Sequence, residues 1–380
     1  MTDEAGAPRP GCPVRFEAEG PGHILDPERT TDRRGEAHAQ VVSTVAGVTT
    51  LSVTVVIGED EVPLGQRPRL TFRAGAPDAR ASTLTALRPE LVADGAAVVT
   101  LSVVLRDRAG NPVPGARVTL GATGGGNTLA APGPTGPDGA ALATLSSTVA
   151  EVKTITAAAV TPAGDVPLEA TAQVRFAPGR PDAGASTVAA APTSLVADGA
   201  QITTITVCVR DAHGNPVPGQ VVRLGATGAG NALTQPAPTG DDGLALALLA
   251  STVAEVKTVT VLVNPGAVQV ALPRATTIDF GPGPLEPATS SVQVAPAEGG
   301  ALDVVVTARD ALGNPIPGLR VELSAPGAAI DQPDGVTSAR GEARGLVRWP
   351  ADRPPGDVGA TVFTRGGPVR LAGASDRPDR

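Results

Sequence analysis

The 380-residue sequence has no tyrosine, one tryptophan and five phenylalanines, so aromatic residues make up only 2% of it. Protein-binding hot spots and sugar-binding platforms usually depend on Trp and Tyr, which bury a large area and can also form hydrogen bonds. The scarcity of both residues argues against a conventional high-affinity aromatic binding site.

Clustered positive charge is missing as well. The sequence has 30 Lys and Arg residues against 38 Asp and Glu residues, which gives a formal net charge of −8. No basic cluster of the kind that nucleic acids require is present, so we expect no nucleic-acid partner. No run of about 18 apolar residues exists, which predicts no membrane span in this chain. The opening residues 1–8 lack the basic start and apolar stretch of a signal peptide.

What the sequence does contain is a long repeat. The string Gly-Asn-Pro-Val-Pro-Gly at residues 110–115 returns unchanged at 214–219 and with one Val→Ile change at 313–318, so the spacings are 214 − 110 = 104 and 313 − 214 = 99. Three of the five phenylalanines are also 104 residues apart, namely Phe72, Phe176 and Phe280. A period near 100 residues is the size of a whole small β domain. The chain is therefore predicted to be a tandem array of one domain type.

Each copy has the pattern of short strands joined by turns. Inward and outward positions alternate with the period of two typical of a half-buried strand, as at Ile205, Val207 and Val209. The segment Asp-x-x-Gly-Asn-Pro that follows, residues 211–216, favours a turn. Small residues at fixed positions, such as Ala141, indicate a closely facing sheet. About seven short strands per copy predict an all-β fold of tandem Ig-like antiparallel β-sandwich domains in an extended array, without the Cys…Trp…Cys core of antibody domains.

The repeat period divides the chain into four copies and a tail. We refer to them as the first repeat (residues 1–76), the second (77–180), the third (181–284) and the fourth (285–375), followed by a tail at 376–380. The first repeat is predicted to be incomplete, with only the C-terminal part of a domain, because ten residues precede Gly11 where about thirty would carry the opening strand and turn. Leu51, Val53 and Val55 would then lack partners, as in a fragment of a longer array. The alternative is that these residues form a reduced but genuine cap.

The fourth repeat is predicted to end the array. Its closing strand, residues 369–373, has Gly373 where the other copies have phenylalanine. One hypothesis is that each phenylalanine seals the junction with the next domain; the other is that it is a core residue at the end of its strand. Short connectors with proline, such as residues 73–78, predict a semi-rigid rod.

The succession of motifs resembles a known family. Ala93-Asp94-Gly95, then Asp-x-x-Gly-Asn-Pro-Val-Pro-Gly at 107–115, then Asp138-Gly139 and Ser-Thr-Val-Ala at 147–150 keep their order and spacing in the next copy. This pattern, over nearly all of residues 80–373, resembles the bacterial Ig-like group 1 repeat of the invasin and intimin adhesins. The resemblance implies an outer-membrane or extracellular stalk segment that gives reach and stiffness. Its partners would be neighbouring Ig-like domains of a longer chain, together with the host cell surface. The alternative function is direct recognition of a host protein or glycan through loops at the sandwich tips.

No residue pattern points to catalysis, so we expect no enzymatic activity and no cofactor. The three histidines, His23, His38 and His213, share no equivalent position, and the two cysteines, Cys12 and Cys208, support no intradomain disulfide. Residues 124–126, Gly-Gly-Gly, lack the Gly-Lys-Ser/Thr of a phosphate loop and are predicted to form a flexible loop. Turn carboxylates could bind calcium at domain junctions, although Ca²⁺ usually needs six to eight oxygens, so turn formation is the preferred interpretation of Asp94, Asp107, Asp138, Asp198, Asp211 and Asp242. No metal site is predicted.

Overall fold

A computed structural model describes residues 1–25, 28–264, 266, 268–351 and 356–373. These residues form β-strands joined by turns, with a 3₁₀ turn at Glu298–Gly300 and no α-helix within the described ranges. The all-β prediction is confirmed. The chain divides into two compact units, Met1–Gly179 and Arg180–Arg380, which are described separately. The predicted tail 376–380 lies outside the described residues.

The first repeat forms one main sheet and one small sheet. Its strands are β1 (Pro13–Ala18), β2 (His23–Leu25), β3 (Glu28–Thr30), β4 (Val41–Ser43), β5 (Gly47–Ile57), β6 (Asp60–Pro63) and β7 (Arg69–Phe72). The main sheet has the order β3-β1-β5-β6, and β7 also pairs with β5. Strands β2 and β4 pair with each other.

The second repeat is a two-sheet sandwich. Its strands are β8 (Thr83–Leu87), β9 (Glu90–Val92), β10 (Val99–Val104), β11 (Arg117–Ala122), β12 (Asn127–Leu129), β13 (Ala140–Ser147), β14 (Val152–Thr161), β15 (Gly164–Pro167) and β16 (Ala172–Ala177). One sheet has the order β12-β13-β10-β8, and the other has the order β11-β14-β16-β9, with β15 on β14. Strand β9 pairs with β16 in parallel, unlike the antiparallel pairs around it, and Phe176 lies opposite Leu91.

The third repeat, in the second unit, has the same arrangement. Its strands are β17 (Thr187–Ala191), β18 (Ser194–Val196), β19 (Thr203–Cys208), β20 (Val222–Ala226), β21 (Asn231–Leu233), β22 (Leu244–Ser251), β23 (Glu255–Val263), β24 (Val270–Ala271) and β25 (Thr276–Gly281). The sheets have the orders β17-β19-β22-β21 and β18-β25-β23-β20, with β24 on β23. Strand β18 again pairs with the last strand, β25, in parallel.

The fourth repeat has a shorter second sheet among its described residues. Its strands are β26 (Ser291–Pro296), β27 (Leu302–Thr307), β28 (Arg320–Ser324), β29 (Ala329–Asp331), β30 (Glu342–Arg348), β31 (Gly359–Thr364) and β32 (Gly367–Ala372). The two sheets have the orders β26-β27-β30-β29 and β28-β31-β32.

The predicted inward faces form the cores of the three sandwiches. Ile205, Val207 and Val209 are all 0% exposed, and they pack with residues of both sheets of the third repeat. The prediction that small residues mark a close approach of the facing sheet is supported at Gly345. A Cβ there would lie 2.7 Å from Cδ1 of Leu323, which is on the other sheet. Core burial of this kind contributes about 1.5–3 kcal/mol for each large aliphatic side chain.

The first repeat buries part of its inner face after all. Val55 is 1% exposed and Val14 is 4% exposed, so the prediction that Val55 lacks partners is wrong. The N-terminal segment and the loop at 31–38 lie over this face, where the α-amino group of Met1 donates a hydrogen bond to the carbonyl of Gly35 at 2.6 Å. Leu51 and Val53 remain half-buried, as expected for a sheet with an incomplete cover.

The end of the fourth repeat also differs from the prediction. Strand β32 closes a hairpin with β31 in which Thr364 lies opposite Gly367, as Thr161 lies opposite Gly164 in the second repeat. Strand β32 therefore corresponds to β15 and not to β16, and Gly373 is not the counterpart of Phe176. The prediction failed because both strands carry the same alternation of apolar and polar residues.

The phenylalanines at the strand ends are core residues in two of the three repeats. Phe176 is 2% exposed and Phe280 is 1% exposed, and each belongs to the core cluster of its own repeat. Phe72 differs, because it is half-buried and its ring lies 5.7 Å from that of His23.

Candidate functional site at the repeat junctions

The turn at residues 107–111 is organised around the Asp107 carboxylate, which is 6% exposed. Its Oδ1 accepts hydrogen bonds from the amides of Ala109 and Asn111, both at 2.9 Å. Its Oδ2 accepts one from Nδ2 of Asn111 and one from the amide of Gly75, also at 2.9 Å. Gly75 belongs to the connector from the first repeat, so the carboxylate fixes both its own turn and the incoming chain.

The Asn111 side chain reaches the preceding repeat directly. Its Oδ1 accepts a hydrogen bond from the amide of Ala46, and its Nδ2 donates one to the carbonyl of Thr44, both at 2.9 Å. The oxygen and the nitrogen of the Asn111 side-chain amide are thus both bonded to a single loop of the first repeat. The asparagine of the Gly-Asn-Pro string therefore makes a junction contact as well as a turn.

The same contacts recur in the second unit. Oδ1 of Asn314 accepts from the amide of Ala254 at 2.9 Å, and Nδ2 donates to the carbonyl of Thr252 at 3.1 Å. Asp310, which is 3% exposed, accepts from the amide of Gly283 in the connector at 2.9 Å. Its other bonds come from Asn314 and the amide of Leu312. We call these two sets of contacts the junction locks.

The turn of the third repeat has the same internal geometry. Oδ1 of Asp211 accepts from the amides of His213 and Asn215, and Oδ2 accepts from Nδ2 of Asn215, each at 2.9 Å. His213 takes part through its backbone, which explains why Ala109 and Leu312 can replace it in the other repeats.

Hydrogen bonds keep the junction carboxylates ionised. Burial is the largest single influence on the pKa of Asp107 and on its own would raise it. The bonds from the Asn111 side chain and from three backbone amides together outweigh burial, so the pKa is lowered below its usual value. The pKa of Asp310 is lowered by the same balance, with Asn314, Gly283 and Leu312 as donors.

These contacts support turn formation as the interpretation of the turn carboxylates. Both oxygens of Asp107 and Asp310 accept N–H groups, which leaves them poorly placed to bind Ca²⁺, a cation that needs six to eight oxygens. Asp94 and Asp198 each accept two backbone amides of their own turn, and Asp138 and Asp242 each accept one. Across the described ranges, no group of three or more His, Cys, Asp or Glu side chains could hold a metal ion.

Phe72 lies at the first junction. It lines a cavity of about 520 Å³ together with Ala46 and Gly47 of its own repeat and Pro112 and Pro114 of the second. A cavity of about 610 Å³ lies at the junction between the third and fourth repeats, where its lining includes Gly283, Leu285 and Asp310.

The other residues considered from the sequence do not come together. His38 lies 3.8 Å from a carboxylate oxygen of Glu36, and Cys12 and Cys208 are free thiols. The glycine loop 124–126 joins β11 to β12, but it is held by side chains, since Gly125 bonds Glu151 and Lys153. None of the described helical segments is long and apolar enough to cross a membrane.

Two features of the site were not predicted. The sequence showed that Asn111 and Asn314 recur, but turn formation alone was enough to explain an asparagine at each position. One signal in the sequence could have indicated the junction contact. The asparagine is the same in all three copies, whereas the residue two positions earlier differs, being Ala109, His213 or Leu312. The buried lysines, Lys153 and Lys257, were also missed, because a lysine within an alternating strand pattern is normally placed on the solvent side.

Comparison with known proteins identifies the second and third repeats. The family model of the bacterial Ig-like domain (group 1) matches residues 81–177, and the model of invasin domain 3 matches residues 182–283. Among solved structures, the Escherichia coli adhesin FdeC is 21% identical, with 80% of this chain and 100% of that chain covered and a TM-score of 0.50. Yersinia pseudotuberculosis InvD is 21% identical, with 77% and 96% covered and a TM-score of 0.53. At this identity, the two structures show a shared fold. The two family models together cover more than half of the 380 residues, and they place the chain in the bacterial Ig-like group 1 repeat family of the invasin type.

Proposed function

We propose that this chain is a structural segment of the stalk of a bacterial cell-surface adhesin, which gives the protein reach and stiffness. The family models support the adhesin class, and FdeC is described as an adhesin. Location at the cell surface is part of the same proposal. No catalytic, cofactor-binding or metal-binding role is proposed for any residue.

The observation that carries the proposal is the repeated junction lock. Asn111 and Asn314 each form hydrogen bonds through both Oδ1 and Nδ2 to a loop of the preceding repeat. Each net hydrogen bond contributes about 0.5–1.5 kcal/mol, so a pair of them resists bending at a junction without merging the two cores. A stalk needs this combination, because independent domains carry load while their junctions limit motion.

The connectors add to the stiffness of the junctions, because the backbone of each connector is hydrogen-bonded to the repeat that follows it. The amide of Asp78 donates to the carbonyl of Arg106 at 2.8 Å, and the amide of Glu286 donates to that of Arg309 at 2.9 Å. These bonds leave few freely rotating residues between the last strand of one repeat and the first strand of the next. The partners of each repeat are thus its neighbouring Ig-like domains.

The alternative function is direct binding of a host protein or glycan through the tip loops. The loops at residues 44–46 and 252–254 are already bonded to the next repeat, which removes them from a free tip surface. The scarcity of Trp and Tyr argues in the same direction.

A binding measurement separates the two functions. The purified 380-residue chain with Cys208→Val, labelled at its remaining thiol, Cys12, would be titrated onto mammalian cells, with a Trp- and Tyr-free Ig-like domain array of unrelated sequence as the control. The stalk function predicts no saturable binding above the control at micromolar concentration. Saturable binding that the unlabelled chain competes away would favour direct recognition and overturn the stalk proposal.

A further inference from the structure

The second and third repeats each contain a fully buried lysine, Lys153 and Lys257. The side chain of Lys257 on β23 is 0% exposed, and its Nζ pairs with Oε1 of Glu255. An ionised side chain is costly to bury unless it is paired and hydrogen-bonded. The core of the third repeat does not require this charge, since an apolar side chain would fill the position without the desolvation free energy of a buried ion.

The Glu255–Lys257 ion pair is hydrogen-bonded to both the amide and the carbonyl of one loop residue, Ala229. Oε1 of Glu255 accepts a hydrogen bond from the amide of Ala229 at 2.9 Å, and Nζ of Lys257 donates one to the carbonyl of the same residue. The second repeat has the same arrangement, with Glu151 and Lys153 on the amide and carbonyl of Gly125. We call this arrangement the loop clamp.

The clamped loop supports the segment that receives the next repeat. The carbonyl of Gly230, next to Ala229, accepts the amide of Thr252 at 3.0 Å. A Cβ on Gly230 would lie 2.7 Å from Cγ2 of Val253, so the loop and the segment 252–254 are in close contact. The carbonyl of Thr252 then accepts Nδ2 of Asn314. A continuous set of contacts therefore connects Lys257 to the junction lock.

The first repeat holds the corresponding residue in a different way. Subtracting the period of 104 from Gly125, Glu151 and Lys153 gives Pro21, Gly47 and Thr49. Proline has a fixed φ and no amide N–H, so it needs no carboxylate to accept from it. The neighbouring Gly22 accepts the amide of Thr44 at 3.0 Å, as Gly230 accepts that of Thr252. Thr49 is 3% exposed and bonds the carbonyl of Glu19.

We propose that Lys257 and Glu255 are positioning residues of the junction, which hold Ala229 so that residues 252–254 are ordered to receive Asn314. Pro21 has the same role at the first junction through backbone restriction. The inference deepens the proposed stalk function, because it assigns the stiffness of a junction to an ion pair that is hydrogen-bonded within the third repeat.

The test compares two variants of the full chain. The first, Glu255→Gly/Lys257→Thr, installs the first-repeat residues without the proline. The second adds Ala229→Pro. The readout is hydrogen–deuterium exchange of the Ala254 amide, which donates to Oδ1 of Asn314 across the junction. The amide of Val209, bonded to the carbonyl of Gly243 at 2.8 Å in the same repeat, reports the folding of that repeat. The amide of Ala46 reports the unaltered first junction.

The expected result is that Ala254 exchanges at least about tenfold faster in the first variant and returns to within about threefold of the wild-type rate in the second, while Val209 and Ala46 do not change. The inference is overturned if Ala254 is unaffected, if Ala254 and Val209 accelerate by the same factor, or if the proline restores nothing. Lack of protection at Ala254 in the wild-type chain would instead contradict the junction lock and the stalk function that depends on it.

Discussion

The amide of Ala254 donates a hydrogen bond to Oδ1 of Asn314 at 2.9 Å across 60 residues of sequence. Ala46 and Asn111 form the same bond across 65 residues. The sequence separation differs, yet the geometry is the same in both units. The contact is therefore set by the way in which one repeat meets the next, and not by local chain geometry.

Removal of the junction asparagine should loosen a junction without unfolding a repeat. Asn314→Ala deletes two bonds to the third repeat, together worth about 1–3 kcal/mol. Spin labels on the third and fourth repeats should then give a broader distance distribution, whereas circular dichroism stays unchanged. Leu312→Ala, at an exposed side chain of the same turn, is the control and should leave the distribution as it is. An unchanged distribution in Asn314→Ala would contradict the lock.

Two glycines of the third repeat should respond differently to the same substitution. Both Gly243 and Gly219 have positive φ, +75° and +71°, which costs an alanine about 1–2 kcal/mol. At Gly243 the new Cβ would also lie 2.5 Å from the carbonyl oxygen of Val209, whereas Gly219 has nothing within 4 Å. Gly243→Ala should therefore lower the free energy of unfolding of this repeat by at least about 1 kcal/mol more than Gly219→Ala, as measured by exchange of its slowest amides. Equal losses would show that the turn adjusts freely.

The junction locks should be stable at neutral pH and weaken only in acid. The pKa values of Asp107 and Asp310 are lowered in the folded chain, relative to about 3.9 in the unfolded chain. The folded state therefore binds these protons less readily, so the stabilisation is fully present above about pH 4 and is lost as the pH falls through the folded pKa values. The spin-label distribution should be the same at pH 7 and pH 5 and should broaden only below about pH 4. Broadening between pH 7 and pH 5 would point to a different titrating group.

Calcium should have no effect on the junctions. The oxygens of Asp107 and Asp310 already accept backbone and side-chain N–H groups, so binding of Ca²⁺ would require those bonds to break. Isothermal titration of the chain with millimolar CaCl₂ should give only the heat of dilution, and EDTA should not shift the thermal unfolding midpoint. A saturable heat that disappears in Asp310→Asn would establish a junction calcium site.

Much of the fold could be predicted from the sequence because the apolar alternation and turn residues recur at a fixed period. Ile205, Val207 and Val209 were assigned to a core on that basis, and all three are fully buried. The parallel pairing of β9 with β16 could not be predicted, since three residues at 90–92 carry too little pattern to show which sheet they join. The assignment of β32 failed for a related reason, because two neighbouring strands have the same alternation.

Only the turn of the candidate site, and not its junction contacts, could be predicted from the sequence. The sequence identified the Asp-x-x-Gly-Asn-Pro turn, since its residues favour a turn for local backbone reasons. The second use of Asn314 depends on where another repeat lies, and no local pattern carries that information. Lys257 was missed because its burial depends on a backbone carbonyl, that of Ala229, which has no side-chain signature.

The most direct test of the stalk function is to pull single molecules of the whole chain from its two ends. We expect successive unfolding events for the second, third and fourth repeats, each releasing about 90–104 residues, or roughly 30–37 nm of contour length before the folded length is subtracted. A single event that releases the whole chain, or increments that span two repeats at once, would show that the repeats share one interior and would contradict the stalk function.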